Sequence, residues 1–352
     1  MIISRTPFRV SLAGGGSDLA EYYHQSPGNV VTMAINRYMY VTVNRRFDDS
    51  IRVSYTRTEI VDCLHDLQHD LIREAMRLTG ITSGLEITTI ADLPAGIGLG
   101  SSSTLTVGVL NALYAMRGEW RSPADLARQA CDIEIGILHK PIGKQDQYIA
   151  AYGGLQDIHF SSDGSVSVHP VICTSAARRN LARHLLLFYT GVHREAGSVL
   201  SEARRRLQAS SDARAAVDVL VALAGRVRDA LTSGRVERIG GLLDEGWRFK
   251  KQMASNVSNG HLDGIYEVAR RAGAEGGKIS GAGAGGCLLL FAKPRHQAAV
   301  RAAMNGAGLR EIPFEVEPEG TRIIHFSEES DARSLKKARR QSGQQAAQRH
   351  VG

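Results

Sequence analysis

Three alternating glycines run directly into three hydroxyl residues in the stretch Pro94, Ala95, Gly96, Ile97, Gly98, Leu99, Gly100, Ser101, Ser102, Ser103. Beyond them Leu105, Val109, Ala112, Leu113 and Met116 recur at helical spacing, which predicts a helix that starts at the serines. The unbonded N–H groups of its first turn point back into the loop. Together with the positive end of the helix dipole they make a site for an anion, most often phosphate. The glycines let the backbone approach that anion, and the hydroxyls can donate to it or ligate a metal. A tight strand-to-helix turn that needs glycine for geometry alone would carry the same glycines. The serine triplet favours a phosphate cradle. A Walker loop is excluded, because no lysine precedes the hydroxyl residues. Gly281-Ala-Gly283-Ala284-Gly285-Gly286 matches the dinucleotide fingerprint literally, but a strand-like run, Cys287 to Phe291, follows where that mechanism needs a helix.

Two carboxylates stand out by position. The pattern predicts a helix over 123–139, opened by Ser122-Pro-Ala-Asp125 as a capping box with proline at the first helical position. Its apolar face holds Leu126, Ala127, Ala130, Cys131, Ile133, Ile137 and Leu138, and Glu134 falls within that arc. A carboxylate on a buried face needs a partner. A structural salt bridge would serve, and so would Mg²⁺, the hard cation a phosphate loop calls for. Asp146 lies in Pro141-Ile-Gly-Lys144-Gln-Asp146-Gln147, read as a loop after that helix. A loop aspartate can form a turn or a cap. Beside a phosphate site it can instead accept the proton of an attacking hydroxyl. At the N-terminus a strand over Arg5 to Ala13 ends in Gly14-Gly15-Gly16-Ser17-Asp18. Asp18 and Ser17 on such a turn suit a polyol ligand, and an Asx-type helix cap fits them equally.

The elements that must position these groups form an α+β chain in two parts. Strands are expected at 5–13, 30–45 and 85–90, helices at 66–79, 101–117 and 123–139, and a strand pair across 154–170 with its turn at Asp163-Gly164. From about 195 helices fit 195–208, 213–232, 236–253 and 261–272, and strands return at 286–292, 309–316 and 322–326. The join is placed near 171–184, giving domains of 1–175 and 176–328, with a basic polar tail over 329–352.

The chain has 352 residues, enough for two packed domains. No apolar run approaches a membrane span, and the first residues enter a strand pattern with no signal-peptide core. Cys63, Cys131, Cys173 and Cys287 are scattered without metal spacing, and Cys131 and Cys287 sit in apolar patterns as buried thiols. A reducing, cytoplasmic setting is expected. The net charge is +7, but Arg333, Lys336, Lys337, Arg339, Arg340 and Arg349 concentrate much of it in the tail. No stripe of basic and aromatic residues supports nucleic-acid binding, whereas a moderate surplus suits phosphorylated ligands.

The strand motif, the Pro-x-x-x-Gly-Leu-Gly-Ser-Ser loop and the Gly-Ala-Gly-Ala-Gly-Gly loop, in this order from Arg5 to about Phe326, resemble the GHMP kinase superfamily. Within it Phe8 to Asp18, Pro141 to Tyr148, Tyr189 to Ala196 and Lys278 to Gly286 are most similar to the kinases that phosphorylate the anomeric hydroxyl of D-glycero-D-manno-heptose 7-phosphate. Fucokinases and related sugar 1-kinases share the glycine-serine-aspartate turn. The resemblance implies a two-domain GHMP fold with ATP, Mg²⁺ and a small sugar phosphate in the cleft, as a monomer or homodimer without nucleic-acid or membrane partners. It implies that Ser101, Ser102 and the backbone of 96–103, from Pro94 through Leu99 to Ser103, hold the triphosphate. Ser102 and Glu134 would hold Mg²⁺, Asp146 would be the base, and Arg9 would steady the transferring phosphoryl group. Gly15, Gly16, Ser17 and Asp18 would face the sugar, and the loop holding Gly283 and Ala284 would close over it. Charge and placement suggest Arg194, Lys251 and Lys144 for the substrate phosphate. Ser103 stands where the superfamily usually has alanine. A fucose-like acceptor, a specialised-metabolite heptose, or a catalytically silent sugar sensor are the alternatives.

Overall fold

The computed structural model describes residues 1–192 and 196–327. The first part opens with β1 (Ile2–Ala13), a short α1 (Ala20–Tyr23) and the long β2 (Gly28–Arg45), followed by a hairpin of β3 (Ile51–Ser54) and β4 (Thr58–Val61). Then come α2 (Asp70–Thr79), β5 (Leu85–Ala91), α3 (Ser101–Met116), α4 (Pro123–Cys131), α5 (Gln145–Tyr152), β6 (Leu155–Phe160) and β7 (Val166–Pro170). The second part holds α6 (Ser175–His184), β8 (Leu185–Tyr189), α7 (Ala196–Ala209), α8 (Ser211–Thr232), α9 (Ile239–Met253), α10 (Gly260–Arg271), β9 (Ala274–Ile279), β10 (Cys287–Ala292), α11 (Pro294–Gly306), β11 (Arg310–Glu311) and β12 (Arg322–Phe326).

Two sheets organise these elements. The first runs β12-β1-β2-β5-β3-β4, and the N-terminal half of β2 also pairs with β6, which carries β7. Every pairing in it is antiparallel except β3 with β5. The second runs β11-β8-β10-β9, all antiparallel. Both α3 and α8 pack on β1 and β2, so β1 is buried on both faces from Thr6 to Ala13. That double burial explains why Arg9 and Ser11, which alternate with Phe8, Val10 and Leu12, are inside the molecule. α9 packs on β9 and β10 and against α8, and it also touches β1.

The expected boundary at 175 does not divide the sheets cleanly. β12, in the range assigned to the second domain, pairs with β1 in register from Ile2 opposite Phe326. The chain therefore returns to its starting sheet, where it covers the otherwise open edge of β1. The stretch where the join is expected holds α6, which Thr174 caps through its side chain on Ala177 N–H at 3.1 Å. The helix expected over 123–139 ends at Cys131 and continues as a π-turn over Asp132–Ile137. Strand β11 covers two residues of the expected 309–316, while β3, β4, β8, β9 and α11 were not anticipated. Cys131 and Cys287 are buried as expected. Cys63, His65 and Asp66, by contrast, bring ligating atoms within 4.8 Å of one another on an exposed turn. Among the described residues no helix is long and apolar enough to cross a membrane.

Candidate active site

The glycine loop lies between β5 and α3. Gly100 takes the position before α3 in a left-handed conformation. The first intrahelical bond of α3 runs from Thr104 N–H to Gly100 O at 2.9 Å, so the N–H groups of 101–103 precede the helical ladder and face the loop. Pro94 and Gly96 are exposed, whereas Leu99 is buried and its carbonyl accepts Arg9 N–H at 3.2 Å. Glycine is required at 98. Its φ is +79°, and a Cβ there would stand 2.6 Å from Ser280 O; a Cβ on Gly281 would lie 2.7 Å from Gly98 Cα. The two glycine loops therefore touch backbone to backbone, one from each sheet, an approach closed to any side chain.

Arg9 sits beneath this junction. Its Nε and Nη2 donate to the two oxygens of Asp146 at 2.6 and 2.7 Å, and its Nη1 donates to Gly98 O at 2.6 Å. This bidentate fork is the strongest ion-pair geometry a side chain offers a carboxylate. Asp146 was read as a loop residue, and it lies in the first turn of α5. It keeps partial exposure toward the cleft, with 22% of its side chain accessible against 5% for Arg9.

Glu134 is completely buried at the π-turn. Its Oε2 accepts the Ser102 hydroxyl at 2.7 Å, and its Oε1 accepts the Gln147 amide at 3.0 Å. Burial pushes its pKa up, opposed by hydrogen bonds from Ser102, Ser103 and Gln147. Among the described residues no basic side chain lies within salt-bridge distance of it. A buried carboxylate beside a serine hydroxyl is a hard-oxygen pair, and it fits Mg²⁺. Ser103 is turned inward, 2% exposed, and its hydroxyl serves Glu134.

The Gly14–Asp18 turn packs against the start of α5. Asp18 is buried; its Oδ1 accepts Gly16 N–H at 3.1 Å, and its Oδ2 accepts Gln145 through the backbone at 3.3 Å and the side chain at 3.1 Å. Burial, then repulsion from Asp146, raises its pKa. Gly143 is the glycine this contact requires, because a Cβ there would fall 1.9 Å from Asp18 Oδ2.

Comparison with known proteins follows this geometry. The model of the GHMP kinases N-terminal domain matches residues 65–154, and that of the GHMP kinases C-terminal domain matches 227–309. A D-glycero-alpha-D-manno-heptose 7-phosphate kinase of Campylobacter jejuni is 31% identical over 83% of this chain and 90% of its own. The chain belongs to the GHMP kinases. It is therefore an ATP-dependent kinase that phosphorylates a hydroxyl group, and sugar kinases are among its relatives. A bifunctional fucokinase/GDP-fucose pyrophosphorylase of Arabidopsis thaliana is 28% identical over 83% of this chain, spanning 30% of that longer protein. A crystal structure of a D-glycero-D-manno-heptose 1-phosphate kinase from Bacteroides thetaiotaomicron superposes with a TM-score of 0.76 at 27% identity, covering 93% of this chain and all of the other.

Within this GHMP kinase, Arg9, Asp146, Gly98 and Gly100 lie in mutual contact, Ser102 at the start of α3 binds Glu134, and Asp18 ties the turn that carries Gly15 and Gly16 to the start of α5. Three expectations need correction. Ser17 does not face a ligand: it is fully buried and hydrogen-bonded to Gly14 O at 2.8 Å and to Asn29 O at 3.1 Å. Lys144 turns its ammonium to Gly164 O at 2.7 Å and over the Tyr23 ring. Lys251 pairs with Asp263 at 3.1 Å on the outer side of α9. Gly283 and Ala284 pack on the turn after α9, where Ala284 N–H donates to Val257 O at 2.7 Å. Arg194 lies outside the described residues, as does the tail over 329–352. Sequence reasoning missed Gln145 and Gln147, which brace the two acidic groups, and Lys250, the neighbour of Lys251, which is buried.

Proposed function

We propose that this GHMP kinase transfers the γ-phosphoryl group of ATP to the C1 hydroxyl of D-glycero-D-manno-heptose 7-phosphate, giving the 1,7-bisphosphate. The Arg9–Asp146 fork beneath Gly98 carries the chemistry of this reading. Likeness to the Campylobacter jejuni heptose kinase supports the acceptor.

Phosphoryl transfer asks a protein for position and charge rather than covalent help. The N–H groups of 101–103 and the backbone from Pro94 to Ser103 receive the triphosphate. Ser102 and Glu134 would hold Mg²⁺, which when bound neutralises the charge shared between the β- and γ-phosphates. Asp18 faces the sugar hydroxyls, and Gly15 and Gly16 line the same turn. Asp146 accepts the proton as the C1 oxygen forms its bond to the γ-phosphorus and the bond to the β-phosphate oxygen breaks. Arg9 fixes the carboxylate and adds positive charge where the phosphoryl group passes. An anomeric hydroxyl is more acidic than an ordinary alcohol, so the base has modest work to do.

The test is ADP release with Mg-ATP against D-glycero-D-manno-heptose 7-phosphate, the free heptose, L-fucose, galactose and mannose. Turnover far faster on the 7-phosphate than on any free sugar is expected. Turnover on a free sugar alone moves the protein to a neighbouring sugar 1-kinase, and ATP binding without turnover on any sugar favours the sensor.

A further inference from the structure

Two lysines are buried next to this site, and neither has an acidic partner among the described residues. Lys250, on the inner face of α9, is 8% exposed, and Lys278, on β9, is 6% exposed. Lys250 Nζ donates to Ile279 O at 3.1 Å and to Gly281 O, at the root of the second glycine loop. Lys278 Nζ donates to Leu12 O at 3.4 Å, at the end of β1 before the Gly14–Asp18 turn. Among the described residues neither ammonium lies within salt-bridge distance of a carboxylate.

A buried ammonium whose acceptors are only carbonyls is costly, and two close together are more so. Burial depresses both lysine pKa values; repulsion from Lys250 adds to it at Lys278, Arg9 adds to it at both, and Asp18 opposes it. Asp146 gives no relief, because both of its oxygens are turned to the Arg9 guanidinium. The surrounding polar atoms point the same way. Ser280 and Ser11 are 1% and 4% exposed, and neither hydroxyl has a hydrogen-bond partner among the described residues. Ser280 follows Ile279, which accepts Lys250; Ser11 precedes Leu12, which accepts Lys278. The site thus holds unused donors on two cations and two hydroxyls, enclosed and short of negative charge. This is what a dianionic oxyanion completes.

We propose that Lys250 and Lys278, with the hydroxyls of Ser11 and Ser280, form a buried phosphate-recognition site on the acceptor side of the cleft. It rests on the kinase reading and deepens it: the anion is the phosphate the acceptor already carries, recognised from α9 and β9 rather than by Lys251 or Lys144. The other source of the same chemistry is the phosphoryl group in transit.

The experiment compares wild type with Lys250→Met, Lys278→Met and Lys250→Arg. Initial rates are measured for Mg-ATP, for the heptose 7-phosphate and for the free heptose, and thermal melts are run with and without inorganic phosphate. For the methionine variants the expected result is a KM for the 7-phosphate raised roughly 10- to 100-fold, the range for losing a charged hydrogen bond. The KM for Mg-ATP and the low rate on free heptose stay unchanged, and Lys250→Arg restores part of the loss. Inorganic phosphate raises the melting temperature of wild type and leaves that of the methionine variants unchanged. An equal fall in kcat on both acceptors, with KM unchanged, assigns the same site to the transferring group. Folded methionine variants with wild-type kinetics and a wild-type phosphate shift would overturn the proposal. Failure of wild type to use any sugar phosphate would remove the heptose reading instead, and the phosphate-dependent melt would still test the site.

Discussion

Nε and Nη2 of Arg9 meet the two carboxylate oxygens of Asp146 at 2.6 and 2.7 Å, while Nη1 of the same guanidinium holds Gly98 O at 2.6 Å. One side chain on β1 therefore sets the position of Asp146, the proposed base, relative to the glycine loop proposed to hold the triphosphate. Any shift of α5 or of the loop is passed to the other through Arg9. The partly exposed side of Asp146 remains for the acceptor.

Asp146→Asn keeps the shape and removes the proton acceptor. Its kcat should fall roughly 10²- to 10⁴-fold, the range for a positioned general base, with little change in the KM for ATP. Steady-state rates on the preferred acceptor check this. A near-normal kcat would leave positioning alone in the account.

Glu134→Gln removes a buried charge and keeps one acceptor oxygen, while its new amide donor can be met by the Ser102 hydroxyl oxygen or by Gln147 Oε1. The variant should fold with unchanged or higher stability, because the carboxylate is held against the cost of burial. The Mg²⁺ concentration for half-maximal rate should rise by about tenfold or more, on the scale of a lost charged contact. The stabilisation of the fold by Mg-ADP, read as a thermal shift, should shrink in parallel. Unchanged Mg²⁺ dependence would make Glu134 structural.

Gly143→Ala drives a Cβ to within 1.9 Å of Asp18 Oδ2. It should cost about 1–3 kcal/mol, the usual scale of overpacking, and raise the acceptor KM. Gly136→Ala, where a Cβ meets nothing within 4 Å, is the control and should leave both unchanged. Chemical denaturation and steady-state kinetics measure the pair.

Burial first and then the charge of Arg9, opposed by Asp18, bring the Lys250 pKa down to about 7. The unfolded chain keeps its lysine protonated to about pH 10.4. Between about pH 7 and 10 the unfolded state therefore binds more protons, so this residue makes stability rise with pH across that window. Lys250→Met lacks the effect. In phosphate-free buffer its melting-temperature advantage over wild type should be largest near neutral pH and narrow toward alkaline pH. A constant gap would show that Lys250 titrates normally.

Periodicity made the sheet-and-helix frame of the site legible. The alternation in β1, the start of α3 and the place of Glu134 among apolar residues all follow from side-chain spacing. The π-turn at 132–137 alters the local helix but keeps Glu134 inside. Asp146 was misread as loop because α5 has eight residues, no side-chain N-cap and no strong apolar face. Ser17 was misread because burial of a turn depends on distant packing, here Asn29 on β2. Lys250 was within reach. Leu243, Trp247 and Lys250 share one face of α9 at spacings of four and three residues. The reasoning applied to Glu134 selects Lys250 over Lys251, where charge alone cannot. The meeting of the two glycine loops joins residues 98 and 281 across two sheets, and no local pattern encodes that distance.

The central claim is that the phosphoryl group goes to the anomeric oxygen. Phosphorus and carbon NMR of the product formed from D-glycero-D-manno-heptose 7-phosphate tests it directly. The account predicts a second phosphate coupled to C1 and a product without reducing activity. A second phosphate on any other hydroxyl, with the product still reducing, would contradict it.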